Sequence, residues 1–134
     1  MPRGIRNHNP MNLRYYDSIN WNGQIGPDDA GYARFETVEH GIRAGVKNLL
    51  NGYFGRGISS PQAIISKYAP HHENPTDNYI RFIADHMGVD VNQAIEPTRA
   101  NLIHLTKGII HFENGSNPYQ QSTIERGVDM AMAG

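Results

Sequence analysis

At 134 residues the chain has room for one continuous hydrophobic core but not for two. With 12 Lys and Arg against 13 Asp and Glu, its formal net charge is −1, so no bulk charge draws it to nucleic acid or to an anionic membrane. Cysteine is absent, which excludes a disulfide scaffold, a thiolate metal site and a Cys nucleophile.

The first 35 residues are polar and rich in Asn, Gly and aromatics. Leu13-Arg14-Tyr15-Tyr16 and Tyr32-Ala33-Arg34-Phe35 read as short strands, and Asn22-Gly23 after Trp21 reads as a hairpin turn because both residues tolerate positive φ. From Thr37 the pattern turns helical. Val38, Ile42, Val46, Leu49, Leu50 and Tyr53 form one apolar stripe, ended by Gly52 and Gly55 to Gly57. Ser59-Ser60-Pro61 offers an N-cap and a proline at the first helical position, opening a helix through Ile64, Ile65 and Tyr68 that Pro70 stops. Asn74-Pro75-Thr76 opens the next, with Tyr79, Ile80, Ile83 and Met87 inward and Gly88 closing it. A turn around Val91 to Ile95 leads to Pro97-Thr98 and a helix carrying Leu102, Leu105, Ile109 and Phe112, ended by Asn114-Gly115. A last helix runs from about Ser122 to Met132, with Ile124 and Val128 inward. The elements sum to a single α+β domain over 1–134, mostly α, with a helical lobe and a small β-hairpin lobe. No signal peptide or membrane-spanning stretch is read, so the expectation is a cytoplasmically made protein without stable membrane association.

The chemistry concentrates at Ile109-Ile110-His111-Phe112-Glu113-Asn114-Gly115-Ser116-Asn117-Pro118-Tyr119. A very apolar helix delivers Glu113 in its last turn. Apolar neighbours such as Phe112 and the negative end of the helix dipole both favour the protonated carboxyl, the form that protonates a glycosidic oxygen. The plainer reading of the pattern alone is a glutamate exposed at a helix end.

Glu113-Asn114-Gly115-Ser116-Asn117-Pro118 resembles the "E-S-x-x-N-P" signature of lytic transglycosylases of the lysozyme superfamily. Asn9-Pro10-Met11-Asn12-Leu13-Arg14, Trp21-x-Gly23, and Arg34 through Arg43 are similar to flagellar-type glucosaminidases, with their "N-N-L-F-G-I-K" stretch and "F-R-x-Y-x-S-x-E" helix start. Thr76-Asp77-Asn78-Tyr79-Ile80 resembles their "T-D-P-x-Y" helix, and the opening Arg3-Gly4-Ile5-Arg6-Asn7-His8-Asn9-Pro10 resembles small phage and prophage proteins. The order departs from the family, whose Glu helix precedes the β lobe. Joining the C-terminus to the N-terminus restores it, so the resemblance implies a circularly permuted lysozyme-like fold with the catalytic helix near the C-terminus.

The resemblance further implies Glu113 as acid/base and the glycan strands of peptidoglycan as substrate. A hydrolase needs a second acid, for which Asp28, Asp29 and Glu36 beside the β lobe are the candidates; a lytic transglycosylase uses one Glu and the substrate's own 6-hydroxyl. Asp28-Asp29 reads equally as a turn after Gly26-Pro27, and Glu36 as a helix-dipole partner. Tyr15, Tyr16, Trp21, Tyr32 and Tyr119 are candidates to stack on sugar rings, or else aromatics covering the core. Asn9, Asn12 and Asn117 are candidates for hydrogen bonds to N-acetyl groups, or turn formers. His104 and His111 share a helix face, and His71-His72-Glu73 lies in a loop, but no tight metal-ligand spacing occurs; no metal or cofactor is expected. The expected function is a phage- or prophage-encoded muramidase, hydrolase or transglycosylase. It would act as a monomer on the cell wall, as an endolysin released through a membrane pore or as a virion-associated lysin. The alternative is a non-catalytic virion protein that binds glycan.

Overall fold

The computed structural model describes residues 1–69 and 76–134. Its elements run α1 (Arg3–Arg6), β1 (Gln24–Pro27), β2 (Ala33–Phe35), α2 (Val38–Gly52), a 3-10 turn (Phe54–Arg56), α3 (Pro61–Tyr68), α4 (Thr76–Met87), α5 (Arg99–Asn114) and α6 (Gln121–Ala133). The fold is α+β and mostly helical.

Local chemistry sets the helix ends. The side-chain oxygens of Thr37, Ser60 and Thr98 each accept a first-turn backbone N–H, from His40, Ala63 and Asn101, and Pro61 occupies a first-turn position that needs no donor. Gly88 and Gly115 take φ of +70° and +79° and terminate α4 and α5. The opening of α4 at Asn74-Pro75, and the proline expected to stop α3, lie outside the described residues.

The β lobe differs from expectation in its turn. Asn22-Gly23 does turn the chain, with the Gln24 N–H donating to the Trp21 carbonyl, and Gly23 leaves room for the His40 ring where a Cβ would collide. That turn feeds β1 and does not join two strands. The hairpin closes instead through Asp28–Gly31, because the Asp28 carboxylate accepts the backbone N–H groups of Ala30 and Tyr32 and so folds the loop around itself. The strands pair Gln24 with Phe35 and Pro27 with Ala33, leaving one extra residue on β1, where Gly26 has φ +101°. Leu13–Tyr16 is not a ladder strand; Arg14 alone bridges to Tyr32.

The main core joins Ile42, Val46 and Leu49 of α2 with Ile64, Ile65, Tyr79, Ile83, Leu102, Leu105, Ile109, Ile110, Ile124 and Val128. Helix α5 is buried around most of its circumference, packing against α4, α6, α2 and α1, which explains its broad apolar stripe. Gly127 lets α6 lie close on α2, since a Cβ there would stand 2.5 Å from Ile42 Cγ2. A smaller cluster of Leu13, Ala33, Phe35 and Ala44 fastens the β lobe to α2. The last turn of α5 therefore ends where the N-terminal segment crosses it: Asn114 Nδ2 donates to the carbonyls of Pro10, at 2.8 Å, and Ile110, at 2.9 Å.

Candidate functional site

A cleft of about 460 Å³ runs between the β lobe and the helices, and Glu113 sits in its wall. Its other side chains come from both lobes: Asn12, Leu13 and Arg14, the Tyr16, Ile19 and Trp21 loop, Tyr32, then Asn48, Tyr53, Lys67, Tyr68 and Ala69. Burial of α5 brings Glu113 there half-buried, with both carboxylate oxygens held. Asn12 Nδ2 donates to Oε1 at 2.8 Å, and the Tyr79 hydroxyl donates to Oε2 at 2.9 Å. Tyr79 is fully buried on α4 with its ring stacked on Phe112, centroids 3.9 Å apart.

The tyrosines around Glu113 keep their protons. Burial raises Tyr79 and Tyr68 well above the ordinary tyrosine value, and the nearby Glu113 carboxylate raises both further. Burial, and then Tyr16, push Tyr53 up to about 12. Each thus presents a neutral hydroxyl. Tyr68 donates to the Met11 carbonyl, pinning the backbone next to Asn12. Two cations line the same cleft over aromatic rings: the Arg14 guanidinium lies 4.5 Å from the Tyr32 centroid, and Lys67 Nζ lies 4.3 Å from the Tyr53 centroid and donates to the Gly52 carbonyl at 2.7 Å.

Of the expected sugar-contacting residues, the structure brings Asn12, Trp21, Tyr32 and Tyr16 into the lining with Glu113. It does not bring Asn9, Tyr15, Asn117 or Tyr119 there. Asn9 is fully buried, donating to the carbonyls of Leu13 and Ala33 and accepting the Leu13 N–H, so it ties the N-terminal loop to β2. Tyr15 packs against the small core cluster. Asn117 makes a turn by accepting the Tyr119 N–H, and Tyr119 covers the main core. The candidate second acids lie elsewhere as well. Asp29 is exposed in the hairpin loop and Glu36 is exposed at the end of β2, outside the lining. Asp28 is a structural anion. Burial works to raise its carboxyl, yet hydrogen bonds from Asn7, Tyr32 and Ala30, with the Arg3 guanidinium at 3.1 Å, prevail and lower it to about 2. Among the described residues Glu113 is the one carboxylate in the lining.

Tyr53, Tyr68, Tyr79, Lys67 and Arg14 were not singled out by sequence as a group. The available signal was tyrosine in place of Leu or Ile on three inward helical stripes, which gives a buried ring and a polar tip. His86, His104 and His111 do gather on the outer side of α4 and α5, with Phe82 between His86 and His111. Among the described residues, however, no three His, Asp or Glu side chains come close enough to hold a metal ion. His71, His72 and Glu73 lie outside those residues. No described helix is long and apolar enough to cross a membrane.

No protein-family model matches the sequence. Protein P5 of Pseudoalteromonas phage PM2 is 36% identical over 135 residues, covering 98% of this chain and 83% of that protein. The chain belongs to the protein P5 family. The match runs across nearly the whole chain, both lobes included. The kinship is with a bacteriophage protein.

Proposed function

We propose that this protein is a peptidoglycan-cleaving muramidase of lysozyme-like fold, circularly permuted, with Glu113 as its acid/base. The observation that carries the reading is a half-buried carboxylate fixed by two donors in the wall of an aromatic-edged cleft between a β lobe and a helical lobe. Tyr16, Ile19 and Trp21 at the rim offer apolar faces for sugar rings, and Asn12 and Asn48 offer amides. The Tyr79 hydroxyl donates to Oε2 whether Glu113 is ionised or carries its proton on Oε1, so both halves of an acid/base cycle are accommodated.

Two further features support it. The segment after Glu113 and the segment before the β lobe touch, through Asn114 and Pro10, as a permuted order of the family motifs requires. The kinship to a phage protein suits a phage- or prophage-encoded wall-active protein that acts as a released endolysin or from within the virion. A single lining carboxylate among the described residues favours the transglycosylase route, in which Glu113 protonates the glycosidic oxygen and then takes the proton of the muramyl 6-hydroxyl as that oxygen closes the ring. The test is digestion of purified peptidoglycan followed by mass spectrometry. Anhydro-muramyl ends are expected. Reducing ends would replace the transglycosylase with a hydrolase, and glycan that is bound but never cut would make the protein a glycan-binding virion component.

A further inference from the structure

Asn12 occupies an unusual position. Among the described residues it is one of two non-glycine residues with positive φ, at +55°, and its loop is fastened on every side. The Asn9 side chain brackets Leu13, Asn114 holds the Pro10 carbonyl, Tyr68 holds the Met11 carbonyl, and Met11 is fully buried against Gly45. So much restraint on a strained residue suggests that its side chain is being aimed. It is aimed at Glu113 Oε1.

The other end of the same amide is in trouble. Asn12 Oδ1 is buried and has no hydrogen-bond partner, and neither has Asn114 Oδ1. Both lie around Gly4 with the Asn9 carbonyl: a Cβ built on Gly4 would stand 2.6 Å from Asn114 Oδ1, 2.8 Å from the Asn9 oxygen and 2.9 Å from Asn12 Oδ1. Three oxygens thus crowd one small space; the Asn9 carbonyl accepts the Asn12 backbone N–H at 3.0 Å, and the two amide oxygens have no donor. A half turn of the Asn12 amide would bring its NH2 group to the side of the unpaired Asn114 Oδ1. It would also turn Oδ1 toward Glu113, which only a protonated carboxyl could satisfy.

We propose that the Asn12 amide turns over with the protonation state of Glu113, donating to the carboxylate when it is ionised and accepting from the acid when it is protonated. Asn12 is then a positioning residue for the acid/base assigned above, on which this inference rests. It lets one oxygen of Glu113 gain and lose a proton without leaving a buried group unpaired in both states. The unpaired Asn114 oxygen is the acceptor for the turned amide in the protonated state. The other groups facing Glu113 among the described residues are Tyr79 from α4 and Tyr68 from α3, with Tyr53, Lys67 and Arg14 along the cleft. The tyrosine hydroxyls stay protonated, so the turnover follows the carboxyl.

The experiment is an NMR titration of the whole chain without substrate. It follows the Glu113 carboxyl carbon, the Asn12 side-chain amide, and the cross-relaxation between Asn12 amide hydrogens and the Gly4 Hα atoms. The expected result is one shared midpoint, with Asn12–Gly4 cross-peaks present below it and lost above it. In Glu113→Gln the Asn12 amide should show no such midpoint. An Asn12 amide that ignores the Glu113 titration, or that titrates unchanged in Glu113→Gln, overturns the proposal. Because no substrate is involved, the two readings separate. Glycan cleavage with an indifferent Asn12 amide overturns the amide turnover alone, and a coupled amide in a chain that cuts nothing overturns the acid/base assignment alone.

Discussion

Tyr79→Phe removes one oxygen and leaves everything else that Tyr79 does. The ring is fully buried and lies 17° from parallel on Phe112, and a phenylalanine keeps that packing. What disappears is the 2.9 Å hydrogen bond to Glu113 Oε2. A hydrogen bond to a charged group contributes about 1.5–3 kcal/mol. If that bond steadies the carboxylate through the reaction, its loss should slow glycan cleavage about ten- to a hundred-fold, at about 1.4 kcal/mol per factor of ten. Stability should change little, by about 1 kcal/mol, because the mutation also relieves the desolvation of a buried hydroxyl. Dye-release from labelled peptidoglycan gives the rate, and urea unfolding gives the stability. A Tyr79→Phe protein that cuts as fast as wild type would refute the role given to this hydrogen bond. So would one whose loss of activity is explained by unfolding.

Three further outcomes are expected. Gly41→Ala would drive a Cβ into the His8 carbonyl oxygen, where only backbone movement helps, so a loss of about 3 kcal/mol or more in urea unfolding is expected. Gly4→Ala would press on the oxygens of Asn9, Asn12 and Asn114, and should impair glycan cleavage through Asn12 more than it lowers the melting temperature. Asp28 has a folded-state pKa lowered to about 2, so its support of the fold is present above the unfolded value near 3.8 and is lost as pH falls through about 2. Asp28→Asn should therefore be less stable than wild type at pH 6, with the gap closing between about pH 4 and pH 2; a gap that widens on acidification would contradict the assignment.

The helices were legible because their ends are chemical. Thr37, Ser60-Pro61, Thr98, Gly88 and Gly115 each solve a terminus problem with a side chain or a positive φ, and those residues are visible without a structure. The place of Glu113 in the last turn of an apolar helix was legible, but the pattern alone reads as an exposed helix-end glutamate, and it was the resemblance to lytic transglycosylases that singled it out. The β lobe was less so, because Asn22-Gly23 satisfies the rules of a hairpin turn while the hairpin is made by Asp28 wrapping its own loop. Sequence spacing also has no access to which asparagines converge. Buried Asn9 and Asn114 and half-buried Asn12 meet around Gly4 from chain segments more than a hundred residues apart, and only the fold sorts Asn12 into the cleft and Asn9 into the core. Tyr79 reads as a core residue from its spacing. It is one, but its hydroxyl reaches Glu113.

The most direct measurement compares wild type with Glu113→Gln on purified peptidoglycan, reading both soluble fragment release and binding to the sacculi. Glutamine keeps an oxygen and a side chain of the same size between Asn12 and Tyr79, so the fold and the cleft should persist. Release by wild type, with at least a hundred-fold loss in Glu113→Gln and undiminished binding, is the expected result. Equal release by the two proteins, or none by either, would contradict the claim that Glu113 is the acid/base of a glycan-cleaving enzyme.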